Sequence, residues 1–557
     1  MSRPENRETL MSLADQLLWG MQQYAHDTRT STLVVAASNS LDPTLAPDAY
    51  QCSGVNDEVE MNAALVAAAA VNGSVELLEG DYNTVLTLSV AVNVTLKAVG
   101  WGAVINFDAG GNAITISGNN VKIRDLKIVI AVGAGGAGTR PNGVSADTFD
   151  NIEVSGLWLV GDTTVGYDGS ENRQNGIFLS SVSNTVIIGN FSESWSMGIN
   201  LYSTFGAAVS ANNCRENMRH GIYLDSMGFG SCVGNYSTEN LYHGIVVESS
   251  YEIAVVGNTC YLNERNGITI TYSNYCPVTS NNCTENTWNG IAVDTYDENI
   301  IMGNTAEINY RHGIYLLDTD GNLIVGNICN DNDYDFTSTY DGINIDGDSD
   351  NNLVHSNVCN GNGRYGIGIL AATCDKNWVK NNLLRANDTA PFNDAGTDTK
   401  LAVKAFTFTE AFGGDAAWKT TSPTGIQIDA TGETALAVGE APLEVQMAVR
   451  FRVKGVALGA TGVGKGMLLE ININAGKPTN SDPYNAEAIA VASVISTEDD
   501  VALNDAIEWI IDATDDVDVD DIEFGETMEM FAVFEDTGAD SDIATNAAIR
   551  TISMEYV

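Results

Sequence analysis

The sequence predicts an all-β chain: a right-handed, single-stranded parallel β-helix with coils of about 23 residues, followed by a C-terminal β-sandwich or jelly-roll domain. Two observations carry the first part. A motif of Gly, Ile, any residue, then Leu, Val or Ile places its glycine at Gly176, Gly198, Gly221, Gly244, Gly267, Gly290, Gly313, Gly342 and Gly366, in steps of 22, 23, 23, 23, 23, 23, 29 and 24 residues. An asparagine keeps the same beat at Asn190, Asn212, Asn235, Asn258, Asn281, Asn304, Asn327, Asn357 and Asn381. Two markers in register over nine coils identify a solenoid. The third observation is that the period stops after Asp398, and strand-like runs take its place up to Val557.

Coil geometry follows from strand geometry. Twenty-three residues of mostly extended chain, at roughly 3.3 Å each, trace a perimeter of roughly 75 Å, which suits three short strands and three turns. Within the glycine motif, alternation turns Ile and the following aliphatic residue inward and the intervening ones outward. No coil buries its apolar residues alone, so each stacks on its neighbours. Asparagine tolerates left-handed turn geometry and can hydrogen-bond up a column, so the asparagine ladder reads as structural. Two residues beyond each marker come Ser192, Cys214, Ser237, Cys260, Cys283, Ala306, Cys329, Cys359 and Leu383. That is a column of mostly small residues in a tight corner, with the thiols expected to be free because parallel Cβ vectors fit a bridge poorly.

Composition narrows the function. There are 73 acidic residues against 26 basic ones, a formal net charge of −47. Such a surface repels phosphate backbones and anionic lipid, so neither nucleic-acid binding nor membrane-surface binding is expected. No apolar run is long enough to insert in a membrane. Residues 1–31 carry Leu10, Leu13, Leu17 and Met21 at helical spacing and lack the apolar core of a Sec signal peptide. They read as an amphipathic helix, either a cap or an anchoring and oligomerisation segment. Domain limits follow: residues 1–31, an entry and capping segment over 32–100, the β-helix over 101–399, and the β-rich domain over 402–557.

The entry segment carries a family resemblance. Gly54 and Asp57 precede a helix-like run from Asn62 to Ala70, and Gly73, Val75, Gly80 and Tyr82 follow it. This arrangement resembles the start of pectate-lyase-like parallel β-helices, most of all the tailspikes of bacteriophages, over about residues 45–395. The resemblance implies a tight turn, a capping helix and a first strand. It implies a virion-associated or particle-surface protein: a homotrimer expected to bind host polysaccharide, gripping other virion proteins through its N-terminal segment, at a virion or extracellular particle surface. The same resemblance admits an active glycan depolymerase or an inert structural or adhesive spike.

Chemistry would sit on the outward ladder. Four residues beyond the motif glycine come Tyr202, Asp225, Glu248, Thr271 and Asp294. Asp225 and Glu248 belong to adjacent rungs, about 5 Å apart, and Glu248 and Asp294 lie two rungs apart, about 10 Å. Glycoside hydrolysis needs two carboxylates at roughly 5–5.5 Å for retention or 6.5–9.5 Å for inversion. Glu248 is therefore the candidate acid, with Asp225 or Asp294 as base or nucleophile. Tyr202, Tyr223, Trp288 and Tyr315 are the candidate sugar-binding aromatics. The alternative is a solvated acidic face. A lyase is less favoured, although Arg219, Arg265, Arg311 and Arg364 recur two residues before the glycine; at a turn they balance nearby acids. His220, His243 and His312 read as turn residues. No metal site is expected and no cofactor is required; the acidic run from Asp512 to Asp521 could attract Ca²⁺ but lacks the spacing of a calcium loop.

Overall fold

In the computed structural model, residues 31–401 are described in full apart from 42, 44, 48–49, 132, 134–140, 163–173 and 336, and beyond 401 only the backbone strands are described. The expected N-terminal helix over 1–31 lies outside the described residues but for its last position, as does the acidic run beyond Asp512. The chain divides into two compact units, Met1–Asn322 and Leu323–Val557.

The first unit is a parallel β-helix of three sheets. Sheet I runs from Thr32–Val35 to Ile300–Met302, sheet II from Gly80–Thr84 to Thr305–Glu307, and sheet III from Leu88–Val90 to Ile314–Leu317. One coil shows the plan: His220–Asp225 in sheet III, Ser231–Val233 in sheet I and Tyr236–Thr238 in sheet II. Each strand pairs in parallel with its counterpart one coil on, so Ile222, Ile245, Ile268, Ile291 and Ile314 stack in register. Alternation does the rest: Ile245 and Val247 are fully buried inside the coil while Glu248 is half-exposed.

The motif glycine is required by crowding. A Cβ at Gly244 would lie 2.6 Å from the carbonyl oxygen of Gly267 and 2.9 Å from Asn263 Nδ2. At Gly198, Gly221, Gly267 and Gly290 the same hypothetical atom meets the next motif glycine's carbonyl at 2.7, 2.9, 2.7 and 2.8 Å. The column exists because successive backbones approach too closely there for any side chain.

Asparagines fill the corners. In the corner between sheets I and II, Asn190, Asn212, Asn235, Asn258 and Asn281 each donate through Nδ2 to the Oδ1 of the next, ending on Asn304, at 2.9–3.0 Å. Each also caps backbone: Asn258 Oδ1 accepts the Asn235 amide and Asn258 Nδ2 donates to the Cys232 carbonyl, both at 2.9 Å. A second ladder, absent from the sequence reading, follows five residues later through Asn217, Asn240, Asn263, Asn286 and Asn309. The nine cysteines are free and buried, with Cys260 and Cys283 neighbours in register.

Helix α1, Glu58–Ala69, packs Met61, Ala64, Leu65 and Ala68 against the first strands. The turn before it is built on Asp57, whose carboxylate accepts the Gly54 amide at 2.7 Å and the Asn83 amide at 2.8 Å. Fully buried Tyr82 donates its hydroxyl to the Leu78 carbonyl at 2.8 Å, with the Val35 carbonyl at 3.0 Å.

The second unit has parallel coils of its own. Leu353–His355 pairs with Leu323–Val325 and with Trp378–Lys380, and Tyr365–Ile369 pairs with Ile343–Asp346 and Ala390–Asp394. Its asparagine ladder runs Asn327, Asn357, Asn382, with Asn382 and not Asn381 in the last place. Asn381 instead takes the left-handed turn position, φ 55°, and the buried small-residue column accordingly ends on Leu384, not Leu383. Strand Lys400–Phe412 then joins two antiparallel arrays: its first half pairs with Ala547–Tyr556, its second with Thr434–Glu440. Ala448–Ala457 extends the first array and Met467–Gly476 lies in the second. The second half of the expected fold class, an antiparallel β-domain, is thus present.

Candidate functional site

Sheet III brings the sequence-derived carboxylates together as expected from the register. Asp225 pairs with Glu248, Glu248 with Thr271 and Thr271 with Asp294, so the first two are adjacent rungs and Asp294 stands two rungs from Glu248. Tyr202 is the rung before Asp225 and is 47% exposed. The outward column two residues nearer the glycine is covered, however. Tyr223, Val246, Thr269 and Ala292 are all buried, and Tyr223 and Val246 form an apolar cluster with Met197.

Side chains from the position before the glycine provide that cover. His220 stacks on Tyr223 with ring centroids 5.4 Å apart, and His312 stacks on Tyr315 at 5.3 Å. His243 stacks on His220 at 5.4 Å, and its Nδ1 lies 3.2 Å from the Asn266 amide that donates to it and 3.1 Å from Thr269 Oγ1. An Nδ1 that accepts the Asn266 amide hydrogen must be unprotonated, which puts the ring proton on Nε2. Burial, then the charges of Arg265 and Arg219, push the His243 imidazole down to about 3, so the ring is neutral.

Tyr223 therefore presents its hydroxyl and keeps its ring covered. Tyr223 Oη donates to Glu248 Oε2 at 2.6 Å and lies 3.4 Å from Asp225 Oδ2. One phenol bridges two carboxylates on neighbouring rungs, while Ser226 Oγ donates to Asp225 Oδ1 at 2.8 Å. Asp294 takes a hydrogen bond from Thr295 Oγ1 at 2.7 Å and stands apart from this cluster.

Two flanking rows were not read from the sequence. Just past the carboxylate column, Phe205, Phe229 and Tyr251 form an exposed strip with ring centroids 5.2 Å apart at each step. Tyr272 and Tyr296 continue the exposed aromatics, 6.2 Å from each other. The signal was present: several coils carry an aromatic residue one to four positions beyond the acidic column, but its spacing drifts and breaks strict periodicity. On the other side, two residues before the motif glycine, Arg219, Tyr242, Arg265, Trp288 and Arg311 stack in coil order. The Arg265 guanidinium lies 3.9 Å from the Tyr242 ring centroid and 4.5 Å from that of Trp288, and Arg311 lies 4.3 Å from Trp288. Trp288 is thus flanked by guanidinium groups from the coil on either side. The arginines recur visibly in the sequence, and Tyr242 and Trp288 take the same position in the coils between them. Arg364, expected in the same row, belongs to the second unit and forms a bidentate pair with fully buried Asp341 at 2.7 and 2.8 Å.

The family model described as periplasmic copper-binding protein (NosD) matches residues 111–264 and 221–429. No curated protein matches the chain. Among solved structures, the Dettilon tailspike protein is similar over 90% of this chain and 94% of its own, with 15% identity and a TM-score of 0.49. The A-module of the Azotobacter vinelandii mannuronan C-5 epimerase AlgE6 covers 62% of this chain and 96% of its own, with 17% identity and a TM-score of 0.43. The Agl-KA catalytic domain covers 62% and 66%, with 12% identity and a TM-score of 0.43.

Copper takes thiolate, thioether and imidazole donors. Burial pushes the Cys52 thiol up to about 12 and the Cys276 thiol up to about 11, away from the thiolate a metal needs. Cys52, Asp57 and Glu60 offer ligand atoms within 4.8 Å of one another, but Asp57 is engaged in its turn through both oxygens. The His243 Nδ1 already accepts a backbone amide. Neither of these donor sets fits copper.

Proposed function

The chain belongs to the family described as periplasmic copper-binding protein (NosD), and from that premise we propose that it is a polysaccharide-binding β-helix whose glycan lies along the outer face of sheet III. The observation that carries this reading is the exposed aromatic strip of Phe205, Phe229 and Tyr251, running beside the carboxylate column along the stacking direction. Sugar rings have apolar C–H faces and polar edges. Aromatic rings that keep 41–49% of their surface in water offer the first a place to pack, and Asp225 and Glu248 accept hydroxyl hydrogens from the second. A row of such sites, repeated every rung, suits a linear polymer better than a small molecule.

The test is binding of the full chain to a panel of polysaccharides by affinity electrophoresis. A retarded complex is expected, weakened about tenfold or more by Phe229→Ala with Tyr251→Ala, in keeping with stacking worth about 1.5 kcal/mol. Retention of full affinity in that double variant counts against the strip as the site.

A second reading is cleavage, favoured by the Tyr223 hydroxyl bridging Asp225 and Glu248. Rungs about 4.8 Å apart match the separation of a retaining pair. Glu248 would then protonate the glycosidic oxygen and Asp225 act as nucleophile, with Asp294 outside the step. Tyr202 would border the bound sugar, with Trp288 and Tyr315 as supports. If cleavage products appear, Asp225→Asn and Glu248→Gln are each expected to abolish them while binding, though weakened, persists; cleavage that persists in both removes this reading. In either case the chain is proposed to act as a trimeric appendage at a particle surface, as the order of capping segment, β-helix and terminal β-domain in its sequence supports.

A further inference from the structure

We infer that the row Arg219, Tyr242, Arg265, Trp288 and Arg311 is a second binding row on the same face, and that the polysaccharide it takes is anionic, bearing carboxylate or sulfate groups on alternate sugars. The inference deepens the glycan-binding reading and rests on it.

The five residues occupy one position on five successive coils, tied by backbone hydrogen bonds from Arg265 N to Tyr242 O at 2.9 Å and from Arg311 N to Trp288 O at 3.1 Å. Cation and ring alternate, so each ring is flanked by guanidinium groups and Arg265 by rings on both sides. Stacking fixes a guanidinium plane and leaves its N–H edge pointing within that plane, the direction in which it meets a carboxylate or sulfate with two parallel hydrogen bonds. Its rotamers are therefore restricted before any ligand arrives, which removes part of the entropic cost of capture. All five side chains are half-buried, with some surface left to water; Nε and Nη1 of Arg219 are buried, so capture falls to Arg265 and Arg311.

Spacing selects the ligand. Arginines recur on alternate coils, so their separation is two strand spacings, about 10 Å. That is close to the length of two sugars in an extended β-1,4-linked chain, so one acidic group per disaccharide meets one arginine. On a chain with a net charge of −47, a row of three arginines is a local exception to the field that otherwise repels polyanions. It accepts anions only where they arrive in register. A flexible polyanion without that repeat loses the register and faces the acidic surroundings.

The experiment measures binding of the full chain to oligomers in which a uronate alternates with a neutral sugar and to neutral β-1,4-linked glucan oligomers of matched length, at low and high salt. The parent is expected to prefer the uronate at least tenfold, with affinity falling as salt rises. Arg265→Gln with Arg311→Gln is expected to lose uronate affinity about 10- to 100-fold and to flatten the salt dependence. Binding to neutral glucan is expected to stay as in the parent. Arg265→Lys keeps the charge without the planar fork and is expected to fall between them. Thermal melts confirm that each variant is folded, and the single Arg311→Gln variant serves if the pair is not. Binding of neutral glucan without preference for uronate overturns this inference and leaves glycan binding standing. Uronate affinity that survives in folded Arg265→Gln with Arg311→Gln also overturns it. Binding of neither polymer removes both readings.

Discussion

The sequence offers Tyr223 as a ring on which sugar would stack, whereas in the structure its ring lies beneath His220 with its hydroxyl on Glu248. A hydrogen bond to a carboxylate contributes about 1.5–3 kcal/mol when buried. Tyr223→Phe is accordingly expected to lower stability by about 1–2 kcal/mol, read from the denaturant midpoint at unchanged slope. His243 carries a different expectation. The folded imidazole titrates at about 3 against an ordinary value of 6.5. Between those values the unfolded chain holds more protons than the folded one. Stability from this group is therefore complete above about pH 6.5 and falls by about 1.4 kcal/mol per pH unit below it. Three coils already carry asparagine at this position, Asn175, Asn266 and Asn289. His243→Asn is expected to remove about 2 kcal/mol of the loss between pH 7 and pH 5, above the range where most carboxylates titrate. Equal pH slopes for parent and variant would mean that the ring is not held neutral.

At the scale of the coil, the two markers read from the sequence answer two different physical needs. Glycine recurs because a Cβ at Gly244 would run into backbone of the next coil. A neighbouring backbone cannot give way as a side-chain tip can, so Gly244→Ala is expected to cost about 1–3 kcal/mol. Asparagine recurs because its amide can satisfy two backbone groups and two neighbours in the same column. Asn258→Ala leaves the Asn235 amide and the Cys232 carbonyl without their partner in a buried corner. Its expected cost is about 3 kcal/mol or more, since each unmet buried group costs about 1–3 kcal/mol. Both variants are checked by thermal melts, with Gly244→Ala expected to disturb the solenoid without abolishing it. The second asparagine ladder is equally periodic in the sequence, but only the structure shows that its amides stack in a buried corner. The Asn381 assignment failed for the opposite reason: where Asn381 and Asn382 stand together, only the corner geometry decides which one enters the ladder.

For the molecule as a whole, charge is the controlling quantity. Seventy-three acidic residues against 26 basic ones repel one another most strongly at low ionic strength. Salt is expected to raise the melting temperature, and a melting point independent of salt between about 0.02 and about 0.5 M would count against self-repulsion as a limit on stability. Oligomeric state bears on the appendage reading. Light scattering of the full chain is expected to give a trimer that persists in high salt; a salt-independent monomer removes the appendage proposal while leaving the glycan row to its own test.

The sequence by itself determined the repeat length, the inward and outward faces, the register of the carboxylates and the change to a different β-domain after Asp398. All of these are consequences of backbone periodicity, and a period is visible in one dimension. Only the tertiary structure decided which outward residues are reachable. Tyr223 is closed over by His220, Trp288 stands between arginines of the neighbouring coils, and Phe205, Phe229 and Tyr251 stay in water. Those outcomes depend on which rotamer each side chain takes against the coil above and below. Pattern assigns a residue to a face, but contacts between coils decide what that face presents to a ligand.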